Sequence, residues 1–168
     1  MLADGGTFII RRASSPDYEA TCALNAEGDD LHRRNVPWLF RTPEGEPRSR
    51  ELFETQVAGP DTAVFVADAG PTVGVALALM KTAPDIPIFV PQRWCVLDNL
   101  VVASSWRRRG VGTALVRAVE AWAHGRHARW VELGVYRFNE DARALYESLG
   151  YSDVLTKMRR PFSDEEER

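Results

Sequence analysis

The stretch that most constrains the fold is Leu100–Val116, with the sequence LVVASSWRRRGVGTALV. It opens with a β-branched run, passes through a turn with three arginines and two glycines, and continues with apolar residues at helical spacing. Such a strand–loop–helix unit presents the unpaired N–H groups and the positive dipole end of a helix to an anion. Gly110 and Gly112 leave room for close approach of the backbone to a ligand. The stretch therefore predicts a phosphate-binding loop.

The composition narrows the partners of this loop. The 168 residues carry a net charge of −3, which gives no overall attraction to nucleic acid or to an anionic membrane. No apolar run approaches the roughly 20 residues of a membrane span, and the start MLADGGTFII lacks the pattern of a signal peptide. Cys22 and Cys95 are too few for a disulfide framework. We therefore expect a cytoplasmic protein that binds neither nucleic acid nor membrane.

The hydrophobic pattern predicts an α/β (α+β) fold, with a mixed sheet and helices on both faces. The predicted strands are Phe8–Arg11, Ala63–Asp68, Thr72–Met80, Trp94–Val102, Trp130–Tyr136 and Tyr151–Met158. The predicted helices are Ser15–Glu27, stopped by Gly28, then Asp29–Phe40, Ser49–Ala58, Gly112–His124 and Asn139–Leu149. One domain would span residues 1–160, followed by a charged tail over residues 161–168.

Two motifs together carry a resemblance to a known family. The first is Arg107-x-x-Gly110-x-Gly112 after the strand that ends in Val102, and the second is NEDARALYESLGY over Asn139–Tyr151. In this order, separated by one helix and one strand, they resemble the acyl-CoA motif and the downstream helix of the GNAT family of N-acetyltransferases. The resemblance covers roughly residues 2–160 and is strongest over residues 98–151.

The resemblance implies a single GNAT-like domain with a mostly antiparallel sheet that transfers an acetyl group from acetyl-CoA to a primary amine, in a ternary complex. The strand before the loop would pair with the pantetheine arm, the loop N–H groups would hold the pyrophosphate, and the arginines would lie at the adenosine phosphates. The implied cofactor-binding residues are Leu100, Val101, Val102, Arg107, Arg108, Arg109, Gly110, Val111, Gly112, Thr113 and Asn139. No metal is expected, and a homodimer is compatible with the family.

Two residues of the second motif have alternative roles. The resemblance implies that Tyr146 protonates the departing CoA thiolate, which a phenol of reference pKa about 10 can do. Its spacing to Leu145 and Leu149 alone favours a packing role. Asn139 would cap its helix, contact the cofactor arm, or do both.

The general base is less defined by the sequence. Asp98 is the first candidate, and strand alternation would place it on the same face as Leu100 and Val102. A solvated strand acid is the competing interpretation. Some members of the family use an acid in the next strand, but that position is Gly134 here. Glu132 is then the second candidate.

The acceptor site is expected to form from Asp29–Phe40 and the proline-rich loop Lys81–Gln92. Its aromatic candidates are Trp38, Phe40, Phe89 and Trp94, and its candidates for attracting a cationic amine are Asp29, Asp30 and Asp85. Core packing and solvation are the competing interpretations of these residues. His32 lies in the same region, where an exposed helix position is the simpler interpretation.

Two other function classes remain open at this point. One is a module that binds acyl-CoA or a protein partner without catalysis, and the other is nucleic-acid binding through Arg107–Arg109. The presence of Tyr146 together with the complete loop favours the enzyme, while the acidic net charge disfavours nucleic acid.

Overall fold

The computed structural model describes residues 6–160, so the predicted tail over residues 161–168 lies outside the described residues. The strands are β1 (Ile9–Arg12), β2 (Thr62–Asp68), β3 (Thr72–Thr82), β4 (Arg93–Val102) and β5 (Val131–Leu133). The helices are α1 (Tyr18–Asn35), α2 (Arg50–Ala58), α3 (Val111–Gly125) and α4 (Glu140–Ser148), with 3-10 turns at Ser15–Asp17 and Ser104–Trp106. The strands form one sheet in chain order, antiparallel from β1 to β4 and parallel between β4 and β5. The predicted mixed, mostly antiparallel sheet is confirmed.

Helices cover both faces of this sheet, as predicted. On one face α3 buries Leu115, Val116 and Val119 against the strands. On the other face α1 and α2 bury Leu24 and Phe53. Because successive strand residues point to opposite faces, burial on both faces explains why β2 and β3 are nearly continuous apolar runs.

Helix α1 is one continuous helix of 18 residues, so the predicted stop at Gly28 and the separate second helix are wrong. A Cβ at Gly28 would lie 3.1 Å from Val101 Cγ2, so this glycine allows the helix to pack closely on β4. The sequence also predicts Ser15 as the N-cap, but the cap is Ser14, and Ser15 is the first residue of the 3-10 turn that leads into the helix.

The predicted last strand, Tyr151–Met158, is absent, and residues 151–160 carry no regular structure. Val154, Leu155 and Met158 are 87%, 86% and 90% exposed. Strand-forming side chains become a strand only beside a strand edge long enough to pair with them. Strand β5 has three residues instead of the seven predicted, and so offers too short an edge for a further strand.

A buried carboxylate fixes the start of α1 against the sheet. Asp17 is 6% exposed and accepts hydrogen bonds from both terminal nitrogens of Arg11, each at 2.8 Å, and from the Ser14 amide. Arg11 also donates to Asp68 at the end of β2. The Arg11 guanidinium is the main reason that the pKa of Asp17 is lowered to about 2.

We predict that Asp17→Asn lowers the free energy of unfolding by about 2 kcal/mol at pH 7, because hydrogen bonds to a charged group are lost. The folded-state pKa lies below the ordinary value of 3.8, so the wild-type stabilisation is present above pH 4 and is lost as the pH falls towards 2. Urea melts across pH 2–7 measure this. Asp30→Asn, at an exposed pair on α1, is the control. Equal pH dependence in wild type and Asp17→Asn would contradict the assignment.

Candidate active site

The site forms where β4 separates from β5. Strand β5 pairs only with Cys95–Leu97. On the other side, Leu77 of β3 pairs with Asn99 while the next residue, Ala78, pairs with Leu97, so Asp98 is an extra residue in β4. Such a β-bulge bends the strand that carries it. Beyond the bulge β4 continues along β3 to Val102 with its β5-facing edge open.

The hydrogen-bond pattern identifies which backbone groups face this opening. The Ala103 N–H donates to the Val73 carbonyl at 2.9 Å and so points towards β3. Because N–H groups alternate sides along a strand, those of Leu100 and Val102 point to the open edge, and that of Val101 points to β3. The Val102 carbonyl accepts from Arg107 Nε at 3.3 Å, which agrees with this direction. An amide-bearing chain can therefore pair with Leu100 and Val102, two of the three predicted residues.

Because of the bulge, Asp98 and Leu100 lie on opposite faces of the sheet. Leu97 and Leu100 both pack in the core on the α3 side. They are three residues apart, and a regular strand would place them on opposite faces. Asp98 and Asn99 instead line a cavity on the α1 side. The prediction that Asp98 shares a face with Leu100 and Val102 is therefore wrong, because the extra residue resets the alternation.

The loop between β4 and α3 turns through two left-handed residues. Arg108 has φ 61° and Gly110 has φ 82°, and the second value is natural only for glycine. The guanidinium of Arg109 lies 5.2 Å from the centre of the Trp106 ring, which holds this arginine by a cation–π contact. All three arginines of the loop are exposed, so the loop carries a concentrated positive charge into α3.

The N-terminus of α3 differs from those of α2 and α4. Ser49 and Asn139 cap those helices with side-chain oxygens, and each helix has acidic residues in its first turn. Helix α3 begins after Gly110 with neither a side-chain cap nor a first-turn acid. The amides of residues 111–113 have no intrahelical acceptor, and the helix dipole points at the same place. This end of α3 is suited to phosphate.

Gly110 and Gly112 are required in the loop for different reasons. A Cβ at Gly110 would meet open space, so its requirement is conformational. A Cβ at Gly112 would lie 3.1 Å from Leu145 Cδ2, so this glycine lets α3 pack against α4. The fold itself thus requires Gly110 for its backbone conformation and Gly112 for helix packing, and close approach of a ligand to both glycines stays a prediction.

Helix α4 contributes the two residues singled out in its motif. The Asn139 side chain accepts from the Ala142 amide at 3.3 Å, which confirms the predicted cap. Tyr146 is 9% exposed, lies in the α3-side core, and has its ring 5.8 Å from that of Tyr151. Burial raises the pKa of Tyr146 to about 12, so the phenol keeps its proton near neutral pH.

The second candidate base, Glu132, is held by two tryptophans. Trp94 and Trp130 stack with ring centres 5.7 Å apart. Their indole N–H groups donate to the two carboxylate oxygens of Glu132 at 2.9 and 3.0 Å. This arrangement gives Glu132 a structural role across the β4–β5 pair.

The aromatic residues expected to form one wall are dispersed. Phe40 packs on His32, which also contacts Tyr136 and Phe138. Arg159 lies 4.1 Å from the centre of the exposed Trp38 ring, Trp94 stacks on Trp130, and Phe89 is exposed in the loop before β4.

Two of the three acids expected to attract an amine are paired with arginines. Asp29 pairs with Arg48 at 2.6 and 2.9 Å, and Asp30 pairs with Arg33 and Arg34. Asp85 is exposed.

A cavity that the sequence did not predict lies between α1, α2 and the sheet. Its volume is about 300 Å³ and it reaches Asp98 and Asn99. Helix α1 lines it with residues at positions i, i+3, i+4 and i+7, namely Tyr18, Thr21, Cys22 and Asn25. That polar stripe on the inward face of α1 was the sequence signal for the cavity.

Among residues 6–160 there is no group of three or more His, Cys, Asp or Glu side chains placed to hold a metal ion. No helix in the same range has the length and apolar character needed to cross a bilayer.

The chain was compared with known families and structures. The acetyltransferase (GNAT) family model matches residues 30–151, which include the open edge of β4, the loop and α4. The chain belongs to the GNAT acetyltransferase family. The comparison with curated proteins gives no significant match.

Solved structures share the whole architecture. A mutant of the BH1408 protein of Bacillus halodurans aligns with a TM-score of 0.87 and 25% identity, over 92% of this chain and 99% of that one. An aminoglycoside acetyltransferase from an uncultured soil sample, in complex with sisomicin, aligns with a TM-score of 0.68 and 15% identity, over 93% and 95%. The aminoglycoside N-acetyltransferase AAC(6')-Iy in complex with CoA aligns with a TM-score of 0.66 and 20% identity, over 91% and 100%. At these identities the last two establish the shared fold.

We predict that Gly110→Ala destabilises the fold by about 1 kcal/mol, because alanine is strained in the left-handed region, and weakens CoA binding measured by calorimetry. Gly125→Ala is the matched control at the other end of α3, where a Cβ meets nothing within 4 Å. It should leave the Kd for CoA unchanged and raise stability by up to about 1 kcal/mol. Wild-type affinity in Gly110→Ala would contradict a binding role for the loop.

Proposed function

We propose that the protein is an N-acetyltransferase that moves an acetyl group from acetyl-CoA to a primary amine by direct attack in a ternary complex. The observation that carries the proposal is the continuity of the open β4 edge with the uncapped N-terminus of α3. One part of this surface suits an extended amide chain and the other suits a pyrophosphate, which is the order of groups in CoA. Family membership and the CoA complex of the neighbour AAC(6')-Iy support the same cosubstrate.

In this proposal each part of the surface holds one part of CoA. Leu100 and Val102 pair through their backbone with the pantetheine arm. The amides of residues 111–113 hold the pyrophosphate, and the arginines of the loop neutralise the adenosine phosphates. Asn139 is already engaged through its oxygen as a helix cap, and its amide nitrogen remains for the arm.

The amine nitrogen of the acceptor must lose two protons during the reaction. The ammonium group of the acceptor first gives one proton to Asp98, directly or through water, and from there to solvent. The neutral nitrogen then forms a C–N bond to the thioester carbonyl, whose oxyanion is stabilised by a β4 amide on the open edge. When the C–S bond breaks, Tyr146 protonates the thiolate and regains a proton from the nitrogen of the new amide. No covalent enzyme intermediate is formed.

We predict that Tyr146→Phe lowers kcat by about 100-fold or more and leaves the Kd for CoA unchanged, because only proton donation is lost. Since the pKa of Tyr146 is about 12, its ionisation should cause no fall in rate below pH 11. Tyr151→Phe is the matched control, because its hydroxyl bonds Glu120 and its ring neighbours Tyr146. Equal kcat in wild type and Tyr146→Phe would remove the acid role.

We predict that Asp98→Asn lowers kcat/KM at pH 7 and that the loss shrinks as the pH approaches the pKa of the acceptor, about 10 for an alkylamine, since the free amine then needs no base. Thiol release followed over pH 6–10 measures this. Asp85→Asn changes the same charge in the exposed loop and should behave as wild type. A loss that is uniform across pH would assign Asp98 to positioning.

A module that binds acyl-CoA without transfer is the second candidate, and the burial of Tyr146 in the core is the observation that favours it. Calorimetry with acetyl-CoA, followed by thiol release with a panel of amines, separates the two. Binding without release for any amine would support the module.

A further inference from the structure

We propose that the cavity between α1 and α2 is the acceptor pocket, and that it takes a compact primary amine with one hydrogen-bonding group on its body. The inference rests on the proposed acetyl transfer and specifies its second substrate. It moves the acceptor site away from the predicted one at Asp29–Phe40 and Lys81–Gln92, where Asp29 and Asp30 pair with arginines and the aromatic side chains lie apart.

The walls of the cavity combine an apolar floor with one unsatisfied polar group. Val64, Val75 and Leu77 of the sheet form the floor. Thr21 on α1 is 5% exposed, and its hydroxyl is buried without a hydrogen-bond partner among the described residues. Leaving a buried hydroxyl unpaired costs about 1–3 kcal/mol, so a polar molecule in the cavity gains free energy by pairing with Thr21.

The cavity meets the reaction site at the bulge. Asp98 and Asn99 line it, and the next residue, Leu100, presents its amide to the open edge where the thioester would lie. The Asn99 side chain donates to Asn25 at 2.6 Å, which ties the wall of the cavity to the strand. The Asp98 carboxylate attracts the ammonium group at this end, so the amine nitrogen faces the acyl group.

The size of the cavity selects the class of amine. Its 300 Å³ is at the small end of ligand pockets, which span about 300–1,000 Å³. It corresponds to about ten water molecules at roughly 30 Å³ each, and so to a ligand with a similar number of heavy atoms. A three-ring aminoglycoside exceeds this volume and would extend outside the cavity. The lining charge of Arg48 is compensated by Asp29, so the pocket holds no spare cation for an acidic acceptor.

The first test compares tyramine with phenethylamine, which differ by one hydroxyl group. Thr21→Val should lower kcat/KM for an amine that pairs with Thr21 by about 3–10-fold, the loss of one hydrogen bond, and should change it little for an amine without a hydroxyl. A panel of small amino alcohols is used in the same way if tyramine is a poor acceptor. Thr55→Val, on the exposed side of α2, is the matched control. Equal effects of Thr21→Val on both members of every pair would overturn the role of Thr21.

The second test uses Cys22 as a chemical probe of the cavity. Cys22 is partly exposed and lines the cavity, while the other cysteine, Cys95, is fully buried. Iodoacetamide should therefore label Cys22 and block acetylation with little change in the Kd for CoA. Amines that are substrates should slow labelling, and Cys22→Ser should abolish it. Labelling that no amine slows would overturn the pocket.

Different results would contradict the pocket assignment and the proposed acetyl transfer. If sisomicin or a lysine peptide is acetylated faster than every small amine, acetyl transfer stands and the pocket assignment is wrong. If CoA binds and no amine is acetylated, the transferase proposal fails. In that case the labelling of Cys22 by iodoacetamide still tests the pocket. Slower labelling in the presence of small amines would support it, and unchanged labelling would contradict it.

Discussion

The extra residue in β4 is the constraint on which the site depends. A parallel partner keeps β4 in register as far as Leu97, and the bulge at Asp98 then turns the strand while β3 continues to pair with it. The insertion puts both Asp98 and Asn99 on the α1 side and returns Leu100 to the α3 side, where Leu97 also packs. The amides of Leu100 and Val102 then point to the edge that β5 leaves open. A regular strand would place Leu97 and Leu100 on opposite faces.

The electrostatics of the domain concentrate on the same region. The other three helices carry acidic residues in their first turns, whereas α3 has neither a first-turn acid nor a side-chain cap and follows three exposed arginines. The positive end of one helix dipole is thus left for a ligand in a chain of net charge −3. On the opposite face the charges are paired within the chain, as in Arg11 with Asp17 and Arg48 with Asp29. Pairing there fixes α1 and leaves Asp98 as the exposed acid at the bulge.

The errors of prediction have identifiable physical causes. Gly28 resembles a helix stop because glycine is a poor helix former, but α1 continues through it, and the missing Cβ lets the helix lie close to Val101. Residues 151–158 have strand-forming side chains, but β5 has only three residues with which a further strand could pair. Of the four aromatic residues predicted to form the acceptor wall, Phe40, Trp94 and Trp38 contact different partners and Phe89 is exposed. In each case the outcome depends on parts of the fold that the local pattern does not contain.

By itself, the sequence determined what depends on neighbouring residues. The cap at Asn139 and the glycine turn before α3 arise from interactions within a few positions, and the order of the two motifs that marks the family is present in the chain itself. Only the tertiary structure decided the face of Asp98, the purpose of Gly28 and Gly112, and the existence of the cavity. These depend on pairing and packing between segments far apart, such as Asn25 with Asn99, which are 74 residues apart. Alternation along a strand is predictable, but a bulge is defined by the register of the neighbouring strand, which a local pattern does not contain.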